Sequence, residues 1–141
     1  MPTLEDAISL AVEKHRGQVD KAGQPYILHP MRVMCRMKTE QEMMVAVLHD
    51  LIEDTDVTLD DLREAGYPEA VVTAVDYLSR RDGESYEDFT KRIMGNPLAV
   101  QVKLGDLLDN MDIRRIDSMD EDDLERLKRY QWAWRELTQS Y

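Results

Sequence analysis

The segment MMVAVLHDLIEDTD brings together the residue types with the clearest capacity for chemistry. It contains His49, Asp50, Glu53 and Asp54, four ionisable side chains close together in the chain. At about 100° per residue of an α-helix these four share one arc, and the small side chain of Ala46 leaves room for something to approach it. The complementary arc is apolar, which predicts a largely buried helix. Buried carboxylates are costly unless they are paired or bind a metal.

Three interpretations of this polar arc are open from the segment alone. It is a solvated helix face, a salt-bridge network with Lys or Arg from another helix, or a metal site. In the metal site, a nitrogen of His49 and an oxygen of Asp50 bind one divalent cation, while Glu53 and Asp54 act on its bound water.

Two further segments carry ligands of the same types and favour the metal site. His29 directly precedes Pro30 at the end of a long Gly- and Pro-containing loop, so its imidazole lies at a predicted helix start. Asp106 lies in VKLGDLLDNMD, on the polar side of another predicted helix. That side is predicted to hold Lys103, Asp106, Asp109 and Asn110, and the core side Val100, Leu104, Leu107, Leu108 and Met111. Two imidazoles and two carboxylates suit manganese, iron or zinc better than calcium.

Short helices with short connections are predicted to position these residues. Capping patterns, with a hydroxyl three residues before a carboxylate, begin at Thr3, Thr39, Thr58, Ser85 and Ser118. Helices are expected over residues 4–16, 30–37, 40–54, 59–65, 68–79, 86–95, 98–113 and 119–138. No segment shows the apolar alternation of a strand. The predicted fold is all-α, a compact single-domain helical bundle over residues 1–141, with the motifs in about 4–113 and a C-terminal helix over about 119–138.

Composition narrows the class of protein. The chain has 141 residues, a net charge of −11 and 43% hydrophobic residues. The acidic balance excludes a typical nucleic-acid binder, and no apolar run is long enough for a membrane span. A single cysteine and the lack of an export signal predict a cytoplasmic protein. Trp132 and Trp134 are two apart on the last predicted helix, a weak indication of a homo-oligomer.

The ordered set His29…His49-Asp50…Asp106 resembles the H…HD…D signature of HD-domain metal-dependent phosphohydrolases. Three longer segments, HRGQVDKAGQPYILHP, VAVLHDLIEDT and VKLGDLLDNM, resemble successive motifs of the hydrolase domain of RelA/SpoT alarmone enzymes and of free-standing small alarmone hydrolases. The resemblance runs from about residue 4 to residue 113.

This resemblance implies an HD-type all-α fold and one Mn²⁺, or another divalent metal such as Fe²⁺ or Zn²⁺, held by the four ligands. It assigns Glu53 and Asp54 to catalysis through water activation and proton handling. It also implies removal of the 3′-pyrophosphate of guanosine tetraphosphate or pentaphosphate, with Lys21 and Asn110 contacting substrate. Tyr26 beside His29 fits either a substrate-base pocket or packing under the loop.

The sequence departs from the family pattern at positions that contact substrate. Asp20 stands where these hydrolases usually have a basic residue, and LADRLHNMR reads LGDLLDNMD, with Leu107, Asp109 and Asp112 replacing Arg, His and Arg. Arg114 and Arg115 follow as potential compensation. Two alternatives therefore stay open: an HD phosphatase acting on a nucleoside monophosphate or a cofactor 2′-phosphate, and a metal-holding nucleotide-binding module without rapid turnover.

Overall fold

The computed structural model describes residues 1–139, and their regular structure is helical apart from one isolated bridge between Val19 and Pro25. The α-helices are α1 (Leu4–His15), α2 (Leu28–Cys35), α3 (Glu40–Leu48), α4 (Leu51–Asp54), α5 (Leu59–Glu64), α6 (Glu69–Tyr77), α7 (Tyr86–Ile93), α8 (Pro97–Asn110) and α9 (Glu121–Gln139). A short 3₁₀ turn, Ile113–Arg115, follows α8. The predicted all-α fold is confirmed.

Hydroxyl side chains begin four of the helices as the capping patterns predict. Thr3, Thr39, Thr58 and Ser85 each accept a hydrogen bond from the backbone N–H three residues later. The prediction for Ser118 is wrong. Asp120 accepts from the N–H of Asp123 at 2.8 Å, and the Asp123 carboxylate accepts from the N–H of Asp120 at 3.1 Å. A carboxylate at the cap accepts as well as a hydroxyl does, so α9 begins later than predicted.

The helix predicted over residues 40–54 is interrupted at His49 and Asp50. In a continuous helix the carbonyl of Ala46 would accept the N–H of Asp50. It accepts instead from Nδ1 of His49, at 2.6 Å. Asp50 has φ −88° and ψ −8°, and α4 starts at the next residue. The two ionisable residues therefore lie at the junction of α3 and α4 and not inside one continuous helix.

Helix α3 forms the centre of the bundle and packs against α1, α2, α6 and α8. Its last four residues, 45–48, are completely buried. Burial of an aliphatic side chain of this kind stabilises the fold by about 2 kcal/mol. The metal-ligand candidates that follow α3 therefore adjoin the completely buried centre of the bundle. No helix in residues 1–139 has the length and hydropathy needed to cross a bilayer.

Gly105 brings α8 close to α2. A Cβ atom at this position would lie 2.6 Å from Cε of Met37 and 3.3 Å from Cγ1 of Val33, closer than normal packing allows. The missing side chain permits the approach that places Asp106 beside His29. The predicted core side of α8 is wrong at one residue, because Leu108 is 39% exposed, whereas Asp109 is 1% exposed.

The two tryptophans of α9 are both half-buried and pack against the hydrophobic core of their own chain. Neither is a fully exposed aromatic residue, so the observation that suggested self-association does not carry over to the structure. The oligomeric state stays a prediction.

Candidate metal centre

The four predicted ligands come together although they are far apart in the sequence. Nε2 of His29 lies 2.8 Å from Oδ1 of Asp106 and 3.7 Å from Oδ2 of Asp50. Nε2 of His49 lies 3.1 Å from Oδ1 of Asp50 and 3.4 Å from Oδ1 of Asp106. Ligand atoms of His29, His49 and Asp50 all fall within 4.8 Å of one another. These three residues could hold one small cation, and Asp106 adjoins them through its contacts with the two histidines.

Each imidazole forms a hydrogen bond through Nδ1, the nitrogen that faces away from the cluster. Nδ1 of His49 donates to the carbonyl of Ala46, and Nδ1 of His29 lies 2.6 Å from Oδ2 of Asp109. These acceptors hold a proton on Nδ1 and aim Nε2 at the cluster. Histidines that bind metals commonly have this arrangement, with the second nitrogen bonded to a carbonyl or a carboxylate.

The carboxylates of the cluster favour positive charge at the two histidines. Nε2 of His49 is buried and, within the described residues, has no hydrogen-bond partner of acceptable geometry. Burial opposes a charged His29, but hydrogen bonds to Asp106 and Asp109 raise its pKa to about 9. Burial likewise opposes a charge on His49, yet the nearby Asp50 raises its pKa. The carboxylates that favour extra protons on these two buried imidazoles would equally favour a divalent cation, which would replace those protons.

Asp106 is shared between the cluster and a buried lysine. Its Oδ1 faces the two histidines, and Asn110 Nδ2 lies 3.3 Å from the same oxygen. Its Oδ2 accepts from Nζ of Lys103 at 3.0 Å. Burial opposes the charge of Asp106, but the lysine and the histidines hold its pKa well below the usual range. The carboxylate is therefore ionised and has one oxygen oriented toward the cluster.

The acidic pair that follows the ligands is not symmetric. Glu53 accepts a hydrogen bond from the backbone N–H of Arg80, in the segment between α6 and α7. Asp54 is an exposed residue, but neighbouring atoms remove part of the water around its carboxyl. This desolvation, with the charges of Asp50 and Glu53, raises the pKa of Asp54. The two carboxylates therefore differ in how firmly they are held.

Tyr26 contacts the cluster directly. Its hydroxyl donates to Oδ2 of Asp50 at 2.6 Å, and its ring lies 5.8 Å from that of His29, centre to centre. Burial and the charge of Asp50 raise the pKa of the tyrosine, so it stays a hydrogen-bond donor. Tyr26 also lines the neighbouring cleft, so its position suits both of the functions that the sequence left open.

A cleft of about 400 Å³ adjoins the cluster. Tyr26 and Asn110 form the boundary between the two, since each lines the cleft and bonds a candidate ligand. The cleft is lined by Val19, Asp20, Lys21, Ala22, Tyr26, Asn110, Arg115, Ile116, Asp123, Arg126, Leu127 and Tyr130. All three residues predicted to contact substrate, Lys21, Tyr26 and Asn110, are among them.

The basic residues of the cleft are paired with acids. Lys21 lies 3.2 Å and Arg126 lies 2.5 Å from the same oxygen of Asp123. The third basic residue, Arg115, lies 3.6 Å from Oδ2 of Asp20. The surface of the cleft is thus nearly neutral, although it contains three cations.

The sequence was compared with those of known proteins. No protein-family model matches the chain. A guanosine-3′,5′-bis(diphosphate) 3′-pyrophosphohydrolase of Aquifex aeolicus is 32% identical over 120 residues, which cover 77% of this chain and 17% of the relative. The bifunctional (p)ppGpp synthase/hydrolase SpoT of Escherichia coli K12 is 34% identical over 141 residues, which cover 89% and 20%. The chain is a homologue of SpoT-type hydrolases.

The resemblance to RelA/SpoT hydrolases, which the sequence motifs indicated, is thereby confirmed. This SpoT homologue spans between 17% and 20% of the length of those two relatives. The fold also matches a solved structure of a metazoan orthologue of SpoT, described as hydrolysing ppGpp and acting in starvation responses. The match has a TM-score of 0.77 and 21% identity and covers 97% of this chain and 86% of the other.

The potential compensation for the lost basic residues is realised by only one arginine. Arg115 enters the cleft, whereas Arg114 is 86% exposed and pairs with Asp112 at 2.7 Å. Sequence reasoning missed Asp123 and Arg126 as cleft residues. Their i, i+3 spacing shows only that they share a helix face, and the contact with Lys21 crosses 102 positions of sequence.

Proposed function

We propose that this chain is a single HD-type domain that hydrolyses a small phosphorylated nucleotide in a metal-dependent reaction. The reaction is the removal of the 3′-pyrophosphate from guanosine tetraphosphate or pentaphosphate. The observation that supports it best is the convergence of His29, His49, Asp50 and Asp106, with both Nε2 atoms facing two carboxylates. The names of the relatives supply the substrate class. The single cysteine fits a cytoplasmic enzyme.

These four residues would hold Mn²⁺ through two imidazole nitrogens and two carboxylate oxygens. That donor set also accepts Fe²⁺ and Zn²⁺. When bound, a divalent ion neutralises charge on a phosphoryl oxygen and makes a nearby water more acidic. Tyr26 and Asn110 orient the ligand carboxylates by donating to Asp50 and Asp106.

Glu53 and Asp54 take different parts in proton handling. Asp54 is the proton acceptor, because its carboxylate is accessible and its pKa is raised. Glu53 orients water, because its bond to the N–H of Arg80 fixes its position. Neutralising the proton acceptor removes catalysis while leaving the cation ligands in place.

The cleft would receive the nucleoside. Lys21, Asn110 and Tyr26 stand along its wall, and its volume of about 400 Å³ is that of a small-molecule site. A guanosine placed there presents its 3′ group to the cluster across Tyr26 and Asn110. Lys21 pairs with Asp123 at 3.2 Å, and this carboxylate competes with a phosphate for the lysine.

The pairing of the cleft cations supports a second candidate, a phosphatase for a nucleotide with fewer phosphates. Asp20 stands at a position where the family usually has a basic residue, and it faces Arg115 in the cleft. A nucleoside monophosphate or a cofactor 2′-phosphate places less negative charge near Asp20 and Asp123. The two candidate functions differ in their product, because the phosphatase releases orthophosphate and the 3′-pyrophosphohydrolase releases pyrophosphate.

The deciding experiment is turnover by the purified chain loaded with Mn²⁺. Guanosine tetraphosphate, guanosine monophosphate and NADPH are offered in parallel, and phosphorus NMR distinguishes pyrophosphate from orthophosphate. We expect pyrophosphate from the first substrate. Asp50→Ala should abolish the activity, whereas Asp60→Ala, at an exposed site on α5, should leave it unchanged.

Release of orthophosphate from guanosine monophosphate or NADPH, without release of pyrophosphate from guanosine tetraphosphate, would establish the second candidate. A protein that binds Mn²⁺ and nucleotide but turns over none of the three would be a binding module. In that case nucleotide affinity would survive the double change Glu53→Gln/Asp54→Asn.

A further inference from the structure

Asp109 occupies an unusual position behind the metal centre. It belongs to α8, is 1% exposed, and stands where the resembled family has a histidine. Its Oδ2 lies 2.6 Å from Nδ1 of His29, which is the nitrogen that points away from the cluster. A buried carboxylate therefore touches the rear of a candidate metal ligand.

Two arginines hold this carboxylate in place. Nε of Arg32 donates to Oδ1 at 2.7 Å, and Nη1 of Arg115 lies 2.8 Å from Oδ2. They offset the cost of burying the negative charge of Asp109. Because Arg32 is on α2 and Arg115 is in the 3₁₀ turn, the carboxylate is fixed from two sides. It has little freedom to move away from His29.

A histidine with a fixed carboxylate behind it has a determined tautomer. When a cation replaces the proton on Nε2, the remaining proton stays on Nδ1, where Asp109 accepts it, and the Nε2 lone pair faces the cluster. His49 reaches the same state through the carbonyl of Ala46. The difference is the charge of the acceptor, because a carboxylate makes the imidazole a stronger electron donor than a carbonyl does.

We propose that Asp109 is a positioning residue that fixes His29 with Nε2 toward the cation and thereby sets the divalent-metal affinity of the centre. The inference rests on the proposed metal site but not on the proposed substrate. The arrangement His29–Asp109 involves a position at which this chain departs from the family pattern.

Nitrogen NMR of the imidazoles in the wild-type protein tests the geometry without any substitution. With Zn²⁺ bound as a diamagnetic probe, His29 should show a protonated Nδ1 with a slowly exchanging, strongly deshielded proton. The other nitrogen, Nε2, should carry the shift of a metal-bound nitrogen. A protonated Nε2 on His29 would overturn the proposal.

Substitution tests the energetic part. Asp109→Asn keeps the shape but weakens the acceptor, and Zn²⁺ affinity, measured by competition with a chromophoric chelator, should fall about 10- to 100-fold. Asp109→Glu should recover part of the loss. Asp117→Asn is the control for charge, because Asp117 is exposed and lies beyond the 3₁₀ turn that carries Arg115. Its affinity should equal that of the wild type.

A general structural defect is separated from this effect by saturating the variant with metal. If Asp109 acts through His29, Asp109→Asn recovers kcat at high Mn²⁺ with an unchanged KM for the nucleotide. Equal Zn²⁺ affinity in Asp109→Asn and wild type would refute the proposal. An absence of hydrolysis in every variant would contradict only the proposed function, since the affinity measurement needs no turnover.

Discussion

Lys103 Nζ lies 3.0 Å from Asp106 Oδ2, and both side chains are buried on the same face of α8. The lysine is also near the rings of Tyr86 and Phe89, at 6.0 Å and 5.4 Å from their centres. The protein therefore keeps one permanent cation beside a candidate metal ligand. The ligand carboxylate is partly neutralised before any metal arrives.

This pairing predicts a metal-dependent cost for Lys103→Met. Removing the lysine leaves the buried Asp106 without its partner, which should lower the free energy of unfolding of the metal-free protein by about 3 kcal/mol. Mn²⁺ should reverse part of this loss, so the metal-induced rise in Tm should be larger in the variant than in wild type. Thermal unfolding with and without Mn²⁺ measures both values.

Lys91→Met provides the control, because Lys91 forms an exposed pair with Glu87 one turn apart on α7. Exposed pairs of this kind contribute little to stability. A metal-induced Tm shift in Lys103→Met no larger than in the control would show that Asp106 does not depend on its lysine.

The proximity of the ligand candidates could be predicted from sequence, because each candidate belongs to a segment with a recognisable pattern. His49 and Asp50 lie after a strongly apolar run, and His29 follows a loop that ends at a proline. The break at His49 could not be predicted, since it depends on a side chain bonding the carbonyl of Ala46. A helical projection treats the backbone as regular and ignores such competition.

The burial of Asp109 was equally out of reach. A helical projection places it on the polar side of α8, which is correct, but a polar side is ordinarily assumed to face water. Here that side faces α2, where His29 and Arg32 supply donors for the carboxylate. Pairing between distant segments decides whether a polar residue is buried, and one sequence contains no direct record of it.

The close approach of α8 and α2 predicts that Gly105→Val is destabilising. The new Cβ would overlap Cε of Met37, the end of a flexible side chain that can shift, and the added side chain would press on the buried Val33. Overpacking of this kind should lower the free energy of unfolding by about 2 kcal/mol. Urea unfolding of the metal-free protein gives the value. Gln101→Val, at an exposed position one turn earlier in α8, should change it far less.

The pairing of Lys21 with Asp123 predicts that Asp123→Asn tightens nucleotide binding. The change frees Lys21 and Arg126 from their shared carboxylate, so both become available to phosphates. Because Lys21 is largely exposed although Asp123 is buried, freeing the lysine should be worth about 1 kcal/mol at most, and the Kd for guanosine diphosphate should fall by up to about fivefold. Calorimetry of the Mn²⁺-loaded protein measures this change.

Asp122→Asn removes the same charge from an exposed neighbour on α9 and controls for the general field of the protein. The tighter binding should be greater in Asp123→Asn than in this control. Equal effects in the two variants would mean that net charge, rather than release of the cleft cations, governs affinity.

The carboxylate of Glu84 stabilises the turn between α6 and α7, whose Arg80 N–H binds Glu53. The pKa of Glu84 predicts how the stability of the protein changes at acidic pH. Arg92 donates to both oxygens of Glu84, at 2.8 Å and 3.0 Å, and also to the carbonyls of Tyr77 and Ser79. These bonds brace the turn whose Arg80 N–H binds Glu53. The hydrogen bonds from Arg92 lower the pKa of Glu84 to about 2.

A carboxylate with a lowered folded-state pKa stabilises the protein above its unfolded-state pKa, about 4.3 for Glu, and this contribution disappears as the pH falls toward 2. Glu84→Gln should therefore cost about 1 kcal/mol at pH 7. The difference between wild type and variant should shrink through that acidic window, because a protonated Glu84 and a glutamine are both neutral. Urea unfolding at several pH values follows it. Glu87→Gln, on the exposed pair with Lys91, should show no such dependence, and a constant gap for Glu84→Gln would mean that its charge does not brace the turn.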